Sequence, residues 1–377
     1  MNSTIIKKIM NVLLVTMLFM ALSLGLLICF LWIKSAGKPT QFRDESGKVL
    51  EGSISEKVFV TIGGVKQGMF IRGKDINNPV LLYLHGGPAF PNYFLIEKYN
   101  PGLEDYFTVC YWEQRGGGLS YSSELTLESM TFDQLTSDCI ELTNYLRNRF
   151  GKEKIYLMAH SGGTPIGIQA AAKTPELFYA YIGMAQITRQ VESEKIAYRY
   201  MLGEYEKTGN QKVVNELKKY RLGDSDTTVV SFYKSMIRDN SMHELGIGTM
   251  RNMRSVLKGV FIPVWMCKAY TLGEKWNIWK SKFTFLKKTT LFNQLFALDI
   301  PKQIHELEIP VYFFSGKYDL TVNYDLSKAY LEQLKAPVKG FYSFEHSAHS
   351  PLYEEPEKVR LIMKKDVMIQ SNILADF

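Results

Sequence analysis

"IYLMAHSGGTPIGIQAA", residues Ile155 to Ala171, sets an apolar run, one serine between a histidine and two glycines, and a small-residue stretch of helical character in immediate succession. Strand, tight turn and helix joined without a linker is the arrangement that lifts a serine hydroxyl onto a strained elbow, where a base can reach it. The usual spacing is G-x-S-x-G, and here Ala159 occupies the first glycine position. Alanine still allows the close strand–helix approach, so Ser161 is a candidate nucleophile. The motif is short and recurs by chance, and its meaning depends on partners elsewhere in the chain.

Outward from the elbow, "PVLLYLHGG" (Pro79 to Gly87) and "FTVCYWEQRG" (Phe107 to Gly116) are short runs, rich in β-branched and aromatic residues, that lead into glycine loops. They read as buried parallel strands, as does "YAYIGMAQ" (Tyr179 to Gln186). Ahead of them, "KVFVTIGGVKQGMFIRG" alternates about Gly63-Gly64 and reads as a hairpin. Between strands, Thr131 to Phe150 carries Leu135, Cys139, Leu142 and Leu146 at helical spacing. Alternation of this kind predicts an α/β fold, a mostly parallel twisted sheet flanked by helices. The alternation stops between Thr188 and Ile300, where only helices with frequent aromatics are read, and resumes at "IPVYFFSGKYD" (Ile309 to Asp319) and "KGFYSFEHSAHSP" (Lys339 to Pro351). The expected organisation is a tail and membrane helix over 1–34, a linker over 35–56, a first part of the core over 57–187, a helical cap over 188–300 and the rest of the core over 301–377.

A serine nucleophile needs a base within hydrogen-bond reach and a third group to orient that base. After the cap, Asp319 ends a strand in "SGKYDLTV", and His349 follows the last strand in "SAHSPLYEEP". Both fall at strand ends, the edge where open α/β sheets place their chemistry. His346 reads as a surface or packing residue, His160 as a neighbour whose side chain diverges from the serine, and Asp325 as part of the next helix. His243 and His305 have no motif around them. For the oxyanion hole, the backbone N–H groups of Gly87, in "LHGGPAF", and of Gly162, after the nucleophile, are the candidate pair. No metal or organic cofactor is expected.

"LHGGP", "EQRGGGLS", "AHSGG", "GKYD" and "SAHSP..EEP", in this order and spacing, resemble the proline iminopeptidase branch of the α/β-hydrolase superfamily. The likeness covers about Lys57 to Gln186 and Pro301 to the C-terminus. It implies release of N-terminal residues, often proline, from short peptides, with Ser161, Asp319 and His349 as the triad and Gly87 in the oxyanion hole. Three positions depart from the pattern: Ala89 for a glycine, Glu113 for an aspartate, and Gly162 for a tryptophan that walls the substrate pocket. Family members hold the substrate's amino group with cap glutamates, and none of Glu192, Glu194, Glu204 or Glu206 matches them by sequence.

The N-terminus is of another kind. Met10 to Ile33 runs without a charged side chain, long enough as a helix to cross a hydrocarbon core of ~30 Å. "LWIKSAGKPT" offers a poor cleavage site, which favours an uncleaved single-pass anchor in the cell membrane over a signal peptide. With so short a tail, the catalytic domain is expected on the outer face. The formal net charge is +7, and between Thr188 and Ile300 there are 19 Lys and Arg against 11 Asp and Glu. The basic excess therefore belongs to the cap, as solvated helix faces or as a segment held near anionic headgroups. No motif for nucleic acid accompanies it. Cys29, Cys110, Cys139 and Cys267 lie far apart and suggest neither a disulfide framework nor zinc.

The leading expectation is a membrane-anchored serine aminopeptidase acting on small peptides. A carboxylesterase or lipase with the same triad is the alternative, and a non-catalytic binding module on a hydrolase fold is a remote one. Nothing in the sequence sets the oligomeric state.

Overall fold

The computed structural model describes residues 3–87, 89–220, 222 and 226–377. Pro88 of the His-Gly-Gly-Pro element and the cap residues at 221 and 223–225 lie outside the described residues. The eight strands are β1 (Ile54–Ile62), β2 (Val65–Gly73), β3 (Val80–Leu84), β4 (Thr108–Glu113), β5 (Ile155–His160), β6 (Phe178–Met184), β7 (Val311–Gly316) and β8 (Lys339–Phe344). They form one sheet in the order β1-β2-β4-β3-β5-β6-β7-β8. β1 and β2 make the antiparallel hairpin about Gly63-Gly64, β2 pairs antiparallel with β4, and every later pairing is parallel.

Alternate residues of each central strand enter opposite layers, as the period of two requires. Leu82, Leu84, Leu157, Ala159 and Phe313 pack in one cluster with Leu135, Leu142 and Ile166; Leu81, Tyr83, Met158 and Phe314 pack in the other with Phe94, Val359 and Ile362. The helices that supply these layers are α2 (Tyr93–Tyr99), α3 (Phe132–Phe150), α4 (Thr164–Lys173), α13 (Tyr324–Gln333), α14 (Pro351–Glu354) and α15 (Pro356–Ile362), with α1 (Ser3–Ile33) preceding them all. Thr131 caps α3, its side chain accepting from the Gln134 N–H at 3.1 Å, an interaction worth about 1 kcal/mol.

Among the described residues, the regular elements between β6 and β7 are all helical: α5 (Gln190–Lys207), α6 (Gln211–Leu217), α7 (Asp226–Tyr233), α8 (Met236–Glu244), a π-helical turn at Leu257–Phe261 that runs into α9 (Ile262–Met266), α10 (Leu272–Lys288), α11 (Leu291–Ala297) and α12 (Ile300–Gln303). α1 stands apart from both layers. Its residues 7–33 are exposed along nearly their whole length, and it is the one helix among the described residues long and apolar enough to cross a bilayer. The segment after it is held against the helical insertion: Gly37 N–H donates to Lys268 O at 2.9 Å, and Lys275 Nζ donates to Lys34 O at 2.7 Å and to Ser35 Oγ at 2.9 Å.

Strand order positions the site. β3 leads to β4 on one side, whereas β5 lies on the other side of β3 and leads to β6, so a crevice opens at the carboxyl ends of β3 and β5. Leu84 is in register with Ala159, which brings His85 to Gly87 and Ser161 out at the same level.

Candidate active site

Ser161 follows β5 directly, with φ +51°. Left-handed backbone at a residue with a Cβ costs about 1–2 kcal/mol, and it turns the chain from strand to helix within one residue, with the hydroxyl above the sheet edge. Gly162 then comes close to the loop after β3. A Cβ placed on it would lie 2.9 Å from Gly87 N and 3.3 Å from Gly87 Cα. The Gly87 backbone thus lies directly against position 162, where the resemblance places a tryptophan. Gly87 itself has φ +51°, and Ala89 has φ +56°, the conformation that a glycine at that position would adopt without a Cβ penalty.

Asp319 lies just beyond β7, its side chain 1% exposed. Oδ1 accepts from the Thr321 and Val322 N–H groups, both at 2.9 Å, and Oδ2 lies 2.8 Å from His349 Nδ1. The carboxylate thus has a fixed orientation, with His349 as its side-chain partner among the described residues. With Nδ1 donating to Asp319, His349 Nε2 is the unprotonated nitrogen when the ring is neutral, and the ring borders the same cavity as Ser161.

His349 is fixed by its main chain as well. Its N–H donates to Gly248 O at 3.2 Å, and His160 Nε2 donates to its carbonyl at 2.8 Å. That bond puts the His160 proton on Nε2, and burial lowers its pKa to about 3, so the ring is neutral. Glu354 and Glu355, from the "EEP" of the last motif, hold the loop: Glu354 accepts from Ala348 N–H and Arg251 N–H, and Glu355 from His346 N–H and Ser347 Oγ. Burial raises the Glu354 pKa to about 7. Behind the Gly86–Gly87 loop, His85 Nδ1 donates to Gly86 O at 2.8 Å and Nε2 accepts from Gln114 N–H at 3.1 Å. Burial keeps this ring neutral too, at a pKa of about 4. The "LHGG" and "EQRG" motifs are thereby knitted together. His346 is exposed, Asp325 lies in α13, and His305 is exposed.

The cavity at Ser161 and His349 has a volume of about 240 Å³. Its core wall includes Gly86, Gly87 and Phe90; its cap wall includes Arg238, Met242, Met253, Val260 and Lys282. His243, which has no motif around it in the sequence, also lines this cavity. The four cap glutamates weighed from the sequence are all paired: Glu194 with Arg238 at 2.6 Å, Glu192 with Lys195, Glu204 with Lys207 and Glu206 with Lys218. Asp239 is the one carboxylate lining the cavity among the described residues, and it lies 3.2 Å from Arg238. Sequence spacing could not find these cap residues, because they converge from separate helices with no motif between them. The sequence signal for the Glu354–Glu355 clamp was present in the "EEP" run.

A sheet of this topology, with a serine on a left-handed elbow and an Asp–His pair at the same edge, defines the α/β-hydrolase class. The family model described as alpha/beta hydrolase fold matches residues 79–356. The chain belongs to the alpha/beta hydrolase family. It is 32% identical over 326 residues, 81% of this chain and 93% of the other, to the "Probable aminopeptidase YbaC" of Bacillus subtilis. It is 24% identical over 303 residues, 77% of this chain and 84% of the other, to a proline iminopeptidase of Saccharolobus solfataricus. Among solved structures, a proline iminopeptidase-related protein from Thermus thermophilus shares the fold with a TM-score of 0.55 at 20% identity, over 83% of this chain and 96% of the other.

Proposed function

We propose that the protein is a membrane-anchored serine hydrolase that cleaves N-terminal residues from short peptides, with Ser161 as nucleophile, His349 as base and Asp319 as the orienting acid. One observation carries the reading: a buried carboxylate bonded to His349 Nδ1, with that histidine bordering the same cavity as a serine held at positive φ. His349 Nε2 takes the Ser161 proton as Oγ attacks the scissile carbonyl carbon. Asp319 stabilises the imidazolium that forms. The N–H groups of Gly87 and Gly162 receive the negative oxygen of the tetrahedral intermediate. Collapse expels the leaving amine, protonated by His349, and water repeats the sequence on the acyl-enzyme. A relative named a probable aminopeptidase and another named a proline iminopeptidase support peptides as the substrate class. α1 supports the anchor by its length, exposure and apolar composition.

The paired state of the cap glutamates and the apolar wall favour a second substrate class. An ammonium in a closed pocket bears a desolvation cost of several kcal/mol unless a carboxylate meets it, and here Asp239 already shares its charge with Arg238. The expected profile is hydrolysis of small aminoacyl anilides with weak preference for proline, together with measurable cleavage of short acyl esters that lack an amine. A panel of free and acetylated aminoacyl anilides and acyl esters tests this, and strict dependence on the free amine would restore a dedicated aminopeptidase. An organophosphonate should label the protein once, at Ser161. Undiminished labelling of Ser161→Ala would refute the nucleophile.

A further inference from the structure

The cap carries a face that hydrolysis does not use. Leu257, Phe261, Ile262, Trp276 and Phe283 are all exposed, at 42–57% of their surface. They are not scattered: Phe261 meets Trp265 and Trp279, Trp265 meets Trp276, and Trp279 meets Phe283, with ring centroids 5.2–6.5 Å apart. The patch joins the apolar helical run Leu257–Met266 to one side of α10, where Trp276, Lys280 and Phe283 fall at i, i+4 and i+7. A continuous exposed apolar surface of this kind marks a place of contact.

Charge and position identify what it contacts. From Arg254 to Lys288 the sequence has eight Lys and Arg and one acid, Glu274. That acid is paired with Lys57 at 2.8 Å, and Lys258, Lys268, Lys280 and Lys288 are exposed. Cations beside exposed aromatics suit the headgroup layer of an anionic leaflet, at about 1 kcal/mol for each well-placed lysine. The patch also has no freedom to lie far from the end of α1. Lys275, between its two halves, donates to Lys34 O, Ser35 Oγ and Trp265 O, and Gly37 N–H donates to Lys268 O.

We infer that the cap face formed by Leu257, Phe261, Ile262, Trp276, Lys280 and Phe283 lies in the headgroup layer of an anionic leaflet, the one from which α1 emerges. This rests on the reading of α1 as a membrane span. Phe90 and Lys282, which line the Ser161 cavity, also adjoin the patch: Phe90 meets Trp279 at 5.8 Å, and Lys282 Nζ sits 4.9 Å from the Phe90 ring centre. The bound orientation therefore sets the cavity close to the lipid surface, within reach of amphiphilic substrates partitioned there.

The test uses the full chain carrying Trp32→Phe, reconstituted in nanodiscs that contain phosphatidylglycerol with brominated acyl chains. Emission from the patch tryptophans should be quenched at least about twofold more than in the additional double variant Phe261→Asp with Phe283→Asp, which should remain in the discs. Discs of phosphatidylcholine alone, with its acyl chains brominated to the same extent, should give weaker quenching. Equal quenching in both lipids would overturn the preference for an anionic leaflet. A chain that enters the discs while its tryptophans remain open to aqueous iodide and untouched by bromine would overturn the docking and leave the anchor standing. A chain that does not enter the discs would overturn both, and phosphonate labelling at Ser161 would still report on the hydrolase reading by itself.

Discussion

Gly162 shows how a single absent methyl can serve a site. Its Cα sits so close to Gly87 that a Cβ would lie 2.9 Å from Gly87 N, tighter than van der Waals contact allows without movement of the backbone. Gly162→Ala should push the Gly86–Gly87 loop off its position beside Ser161 and out of the proposed oxyanion hole. The expected loss is about 10²-fold in kcat, the scale for one misplaced donor, with a thermal melt close to that of the parent. Unchanged kcat would remove Gly87 and Gly162 from the proposed oxyanion hole. Asp319→Asn should be more severe, about 10⁴-fold, because the amide can hold His349 in the wrong tautomer; His349→Ala should fall in the same range, and a greater loss in His346→Ala would show that the base was wrongly chosen. At this scale the elbow, the acid and the base were all legible as candidates, since each sits in a short motif at a strand end. His160 was legible as a neighbour of the serine but not as a clamp on the His349 carbonyl, a contact across 189 positions of sequence that no local pattern encodes.

At the scale of elements, the contact between β4 and the cap rests on an unusual acid. Glu113 ends β4, accepts from Leu119 N–H at 2.6 Å and from the Tyr270 hydroxyl, and is fully enclosed. Burial raises its pKa from 4.5 to about 8. Below about pH 4.5 the group is protonated both folded and unfolded. Between that value and about 8 the folded state holds the proton more tightly, so its contribution to stability falls as pH rises through this window. Glu113→Gln keeps the shape and removes the titration. The difference in Tm between pH 5 and pH 8 should therefore shrink in Glu113→Gln relative to the parent, and an identical pH slope would show that Glu113 does not carry it. Strands and helices of the core were readable because period-two and helical spacing are local. The arrangement of α5 to α12 over the site was not, since helices of similar composition can pack in several orders and only shape complementarity selects one.

For the whole molecule, the end of α1 is tied to the cap. α1 is about 46 Å long at 1.5 Å per residue, ample for a bilayer core, and Lys275 of the cap donates two hydrogen bonds to the residues that follow it, at Lys34 O and Ser35 Oγ. The protein should remain in the membrane pellet after carbonate and high-salt extraction, with an N-terminus that precedes Lys34. A mature N-terminus near Gly37 and protein free in the medium would instead identify a cleaved signal segment. By itself the sequence determined the fold class, the order of its elements, the apolar N-terminal helix and the basic bias of the middle segment, because strand period, turn chemistry and charge are carried by neighbouring residues. Only the tertiary structure decided that Glu194 is buried against Arg238, that Gly87 backbone fills space beside Gly162, and that the cap's aromatics form one surface beside the end of α1. Each of these depends on residues brought together by burial of the same two apolar layers, and the free energy of that burial belongs to the assembled core rather than to any stretch of chain.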